Sequence, residues 1–233
     1  MIEVSVPAES TNKKKSYHHG DLRNAIIHEA VSRARATGEK AIVLREIAPV
    51  IGVSATAAYR HFTNRQQLVE EVAARGFVAV TEHITLPPVG GAAADPGLAA
   101  YVDLRNALTR MVGFAVAEPA WARLMFENLG RSGTVMASAV DTGAVLQAIV
   151  DRGIEAGMFK LATRVRDERI MWAGVDGLCA NAMFGLDPMG TPEADHATAR
   201  TIDLCITDML TEDGVRTRDA VALPNGVVTE LPA

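Results

Sequence analysis

The stretch Gly52-Val53-Ser54-Ala55-Thr56-Ala57-Ala58-Tyr59-Arg60-His61-Phe62 sets two aliphatic hydroxyls among small side chains, then adds a phenol, a guanidinium and an imidazole. Such groups exchange hydrogen bonds with a surface and offer it positive charge. They include no nucleophile beside a positioned base and no metal-ligand spacing, so their chemistry is recognition rather than turnover. The rest of the chain agrees: it carries no phosphate loop, nucleophile elbow, dinucleotide fingerprint or metal-binding helix motif. His18 and His19 lack a third ligand at a useful spacing, and His28, His83 and His196 are scattered. Cys179 and Cys205 fit neither a zinc pair nor a disulfide framework, and read as small core residues. The sequence predicts a protein that is not an enzyme and needs no cofactor or metal.

Short helices must position the stretch. Gly52 gives a backbone that turns with positive φ, and Ser54 caps a new helix by accepting from the amide of Thr56 or Ala57. That helix ends near His61, because Asn64 with Gln67 three residues on has the capping-box arrangement of another start. Apolar spacing predicts helices over 21–37 and 44–51 before the turn, and a long one reaching Ile84 after it. A helix with its side chains is about 10–12 Å wide, close to the major groove of B-DNA, which suits a short exposed helix to reading base edges. Ser54, Ala55, Thr56 and Ala57 would let the backbone approach bases, the Thr56 methyl meeting a thymine methyl. Tyr59, Arg60 and His61 then reach flanking phosphates, which fix register. Arg65, at the start of the next helix, is placed for an anion by charge and helix dipole together. Phe62 is the expected apolar anchor. Lys13, Lys14 and Lys15 read either as a solvated tail or as a basic arm for the minor groove.

The whole chain, 233 residues with 48% hydrophobic and 22% charged content, is that of a globular protein with one or two domains. Its net charge of −5 argues against a polyanion partner only as an average. Residues 1–75 hold 11 Lys and Arg against 8 Asp and Glu, whereas 76–233 hold 12 against 20. Any contact with nucleic acid is thus confined to the front of the molecule. No uninterrupted apolar run reaches the ~18 residues of a membrane span and no secretory signal is visible, so no membrane partner is expected and the cytoplasm is the expected location. The segment TLPPVGGAAADPG (85–97) is the clearest linker. Five further helices are expected beyond it, over 98–117, 119–129, 134–156, 163–184 and 192–210, followed by loss of periodicity from Thr211. The fold class is all-α. Its divisions are a flexible basic arm (1–16), a helix-turn-helix domain with its connecting helix (17–84), a second helical domain (98–211), to which the resemblance described next assigns ligand binding and dimerisation, and a flexible tail (212–233).

YHHGDLRNAIIHEA followed by LREIAPVIGVSATAAYRHFTNRQQLVEEVA resembles the N-terminal domain of the TetR family of bacterial transcriptional regulators, over Tyr17 to about Val80. The resemblance implies that Arg45 faces DNA from the start of the second helix, that Thr56 and Ala57 meet bases, and that Tyr59, His61 and Arg65 meet phosphates. Three positions depart from the pattern: Val43 stands where a Ser or Thr cap is usual, Pro49 lies inside the second helix, and Arg65 replaces a lysine. Further on, Met171-Trp172-Ala173-Gly174-Val175-Asp176-Gly177-Leu178 is similar to the Trp-x-x-x-His-Gly-Leu pattern of one subgroup, with Asp176 for the histidine. Gly174, Gly177, Leu178 and Asn181 share one helical side with Ile170 and Gly185, and Ile202, Cys205, Ile206 and Met209 form a stripe on the last helix. Pairing these with a symmetry mate would give a four-helix dimer interface. A dimer also suits half-sites about 34 Å apart. The family implies a cavity, for which Met111, Phe114, Trp121, Met125, Phe126, Trp172 and Asp176 are candidates. The implied function is a repressor that holds a palindromic operator in double-stranded DNA as a homodimer and leaves it when a small-molecule effector binds. The alternative is an interaction or ligand-sequestering module that has lost DNA binding.

Overall fold

Capping chemistry sets the helix starts. In the computed structural model, which describes residues 19–87, 94–161, 167–186 and 190–221, Ser54 Oγ accepts from the Ala57 amide at 3.2 Å. Asn64 Oδ1 accepts from Gln67 N at 2.8 Å, and Gln67 reaches back to the Thr63 amide at 2.9 Å, a capping box shifted by one residue. Asp95 and Thr191 cap in the same way, each before a proline at the first helical position. The described residues form α1 (His19–Thr37), α2 (Leu44–Val50), α3 (Ala55–Tyr59), α4 (Arg65–Ile84), α5 (Pro96–Ala117), α6 (Pro119–Asn128), α7 (Gly133–Glu155), α8 (Asp167–Phe184), α9 (Pro192–Thr207) and α10 (Glu212–Asp219). They contain no β-strand, only an isolated bridge between Phe159 and Leu210. The fold is all-α.

Two elements differ from the sequence reading. A 3₁₀ turn over Glu39–Ala41 joins α1 to α2. Residues 212–219, expected to begin a flexible tail, form α10 instead. This helix shows no apolar stripe because little apolar surface holds it. Thr211 caps it on Gly214 N at 2.9 Å and donates to the Gly157 carbonyl at 2.7 Å, while Arg218 Nη1 reaches Thr207 Oγ1 at 2.7 Å. The Lys13–Lys15 arm and residues 222–233 lie outside the described residues.

α1 to α3 close over Ile26, Ala30, Ile42, Leu44, Ile47, Ala58 and Phe62, all buried. α4 leaves this unit and packs along α5, α6 and α7. α5 is the central post of the remainder, burying Tyr101, Leu104, Leu108, Val112 and Phe114 against its neighbours, each worth about 1.5–3 kcal/mol. α7 is long and apolar enough to cross a membrane by length and composition alone. Its inner face, through Val135, Leu146, Ile149 and Val150, is packed in the core beside α4 and α5. Its other face leaves Met136 and Val140 exposed.

Candidate nucleic-acid interface

The turn before α3 has Gly52 at φ 77°, which a side chain would strain, and the Val53 amide is caught by the Ala48 carbonyl at 2.9 Å. That geometry swings α3 so that Ala58 and Phe62 are buried while Ser54, Ala55, Thr56, Tyr59 and Arg60 face out. Ala57 and His61 are half-buried. Phe62 is the anchor expected from sequence, and the Arg23 guanidinium lies 5.1 Å from its ring centroid. Arg45 is exposed at the second position of α2. Val43 supplies no side-chain cap there; its carbonyl alone accepts from Glu46 and Ile47. Pro49 is tolerated because α2 ends at Val50, one residue later.

Arg65 is placed differently from expectation. Its guanidinium donates to Ile42 O at 2.9 Å, Glu39 Oε1 at 2.8 Å and Glu39 O at 2.6 Å. It clamps the start of α4 to the 3₁₀ turn, so its charge is already met by Glu39 rather than left open to a phosphate. No periodicity of apolar residues could have shown this, since Glu39 lies 26 residues away.

Behind this surface, α6 touches both halves of the chain. Arg35 of α1 pairs with the buried Glu118 at the start of α6. Gln66 of α4 donates to Asn128 at 3.3 Å, and Trp121 Nε1 donates to Val72 O at 2.9 Å. α6 also lines a cavity of about 190 Å³, whose walls include Met111, Phe114, Met125, Phe126, Trp172 and Asp176. Those are six of the seven residues expected to do so. Trp121 is the correction: its indole is held by the Val72 carbonyl in the packing between α4 and α6. Sequence reasoning missed Phe77 and Val80, which place the wall of α4 in the same cavity, and Thr142 and Cys179. The signal for the first pair was their three-residue spacing on α4. Partial desolvation by the neighbouring walls raises the pKa of the exposed Asp176 carboxyl from its ordinary value, and burial pushes the Cys179 thiol up to about 12.

No protein-family model matches the sequence, and no curated protein matches it. Solved structures do match. A protein of unknown function from Rhodococcus sp. RHA1 superposes with a TM-score of 0.69 at 25% identity, over 85% of this chain and 100% of the other. A bacterial regulatory protein in the TetR family from Rhodococcus RHA1 gives 0.56 at 21% identity, over 82% and 98%. SmeT, the repressor of the Stenotrophomonas maltophilia multidrug efflux pump SmeDEF, gives 0.60 at 16% identity, over 90% and 97%. This is the TetR-family fold.

Within the TetR fold of this chain, the expected dimer stripe on α9 is mostly turned inward. Ile202, Cys205, Ile206 and Met209 are buried in the single chain. Gly174 is small for the same reason, because a Cβ there would strike Cys205 Sγ of α9. Leu178 and Asn181 are half-buried, and Gly177 is exposed. The apolar surface left open on α8 and α9 is instead Ile170, Ala173, Gly177, Phe184 and Leu204. Leu204 was the legible clue, a large apolar side chain on the otherwise polar side of α9, 58% exposed.

Proposed function

We propose that this chain is a ligand-responsive, DNA-binding regulator of transcription, a homodimeric repressor that releases a palindromic operator when a small molecule enters the cavity between α4, α6 and α8. The observation that carries the reading is the outward face of α3, where Ser54, Ala55, Thr56, Tyr59 and Arg60 stand exposed while Ala58 and Phe62 hold the helix down. A face this small and polar suits a major groove, with Arg45 and Arg60 on phosphates. The exposed strip on α8 and α9 is the surface by which two copies would pair, setting two such helices on one side of the duplex. Among structures of this fold, SmeT has been solved in complex with triclosan, which supports a small-molecule effector for this chain too.

The mechanism follows from α6. A molecule that swells the cavity presses on Met125 and Phe126, and α6 is tied through Trp121, Asn128 and Glu118 to α4 and α1. Ligand would then favour the arrangement in which the two reading helices no longer match successive grooves, a population shift requiring different affinity for the two states. The test is to recover DNA fragments bound by the purified protein from random sequence and titrate them by fluorescence anisotropy at increasing salt. Palindromic fragments whose log affinity falls linearly with log salt are expected. Fragments without symmetry or salt dependence would favour the module that has lost DNA binding.

A further inference from the structure

Resting on the effector cavity just described, the chemistry of its lining narrows what fits. Phe77, Phe114, Phe126, Trp172, Met111 and Met125 supply aromatic and thioether walls. The polar groups are few. Thr142 Oγ1 is already bonded to Thr81 Oγ1 at 2.8 Å and to the Ser138 carbonyl at 3.1 Å. Cys179 is buried and remains a neutral thiol. That leaves Asp176, which makes no hydrogen bond or ion pair among the described residues, in a lining that contains no Lys, Arg or His. Trp172 lies four residues before it, so indole and carboxylate stand on the same side of α8, with Phe126 opposite on α6.

Asp176 is exposed at the edge of these apolar walls, and a ligand seated among them would take its carboxylate out of water, which is costly without a partner. A ligand carboxylate would add like charge, and a neutral ligand would displace water from Asp176 while giving it no counter-charge. A cation does both, and Trp172 and Phe126 can face it with their rings. Size sets the other limit. A cavity of about 150 Å³ holds a benzene ring, so about 190 Å³ has room for one ring and a short arm. We infer that the cavity is a site for a small monocyclic organic cation, an arylalkyl ammonium whose ring lies among Phe77, Phe114 and Met125 and whose nitrogen donates to Asp176.

Three probes of nearly equal size separate the possibilities: phenethylamine, phenethyl alcohol and phenylacetate, titrated into the full chain by calorimetry and by tryptophan fluorescence. Phenethylamine should bind at least tenfold more tightly than phenethyl alcohol, since a hydrogen bond to a charged group is worth about that factor or more. Phenylacetate should bind weakest. Asp176→Asn should abolish the preference for the amine while Asp176→Glu keeps it, and melting curves of both variants check that they fold. Equal or tighter binding of the alcohol or the acid overturns the inference, as does failure of all three to bind. So does a preference that survives Asp176→Asn, or dissociation of the dimer by that change, which would assign the carboxylate to a contact between copies. Operator release is read separately: an amine that binds through Asp176 without releasing DNA supports this site and counts against the regulatory reading.

Discussion

Tyr59 and Phe62 stand three residues apart and have opposite surroundings: the phenol is 48% exposed at the end of α3 and the phenyl ring is fully buried beneath it. Only the first can reach a duplex, which makes it the residue to remove. Tyr59→Ala should lower operator affinity about tenfold, the loss of one hydrogen bond to a charged group, without changing the sedimentation of the dimer. Unchanged affinity in a gel-shift titration would remove Tyr59 from the interface. A second residue reports on stability. His83, near the end of α4, is buried with neither ring nitrogen hydrogen-bonded among the described residues, and Arg110 beside it donates to Leu86 O and Pro87 O. Burial and then the charge of Arg110 lower the imidazole pKa below its ordinary value of about 6.5. The unfolded chain therefore takes up this proton more readily than the folded one. Stability is complete above the unfolded pKa and is lost as pH falls from about 6.5 toward the folded pKa. His83→Leu should flatten that acid slope in thermal melts between neutral and mildly acidic pH, and a slope identical to that of the parent would refute it.

Among the elements, α6 is the one on which both halves depend, and it sits against α4 at Gly76. A Cβ at Gly76 would strike Met125 of α6 and lie 3.1 Å from the Trp121 indole nitrogen. Gly76→Ala gains helix propensity but overpacks this contact, so the expected result is a net loss of about 1–3 kcal/mol in urea unfolding. A more stable variant would mean that α4 and α6 part easily. The elements themselves were legible because their ends carry local chemistry: Ser54, Asn64 and Thr191 cap the helices that their types predict. The cavity was legible in its α5, α6 and α8 walls, where aromatic and methionine side chains cluster. What escaped was decided by tertiary contact. Arg65 looks like a free cation until Glu39 is folded against it, α10 is held by hydrogen bonds with no apolar stripe, and Cys205 faces Gly174 of its own chain. Periodicity states that α9 has an apolar side; it does not state whether that side meets α8 of the same chain or of another.

At the scale of the molecule, the basic excess of residues 1–75 and the acidic excess of the remainder would, in the proposed function, orient the chain on DNA before any contact is made. Affinity would then depend on pairing, because in the proposed function one α3 meets only one half-site. Leu204 and Phe184, exposed and apolar, mark the face that would join two copies, while the helices behind them are fixed by Arg105 with Asp203 at 2.6 Å and by the buried Ile202 and Ile206. A charge at Leu204 would therefore break the proposed pair and leave the fold intact. Leu204→Asp should sediment as a monomer and melt cooperatively. Its operator affinity should fall by at least tenfold, and the slope of log affinity against log salt should drop to about half that of the parent, since half as many phosphates are neutralised per binding event. A variant that remains dimeric, or a monomer that keeps the full slope, would move the pairing surface away from α8 and α9.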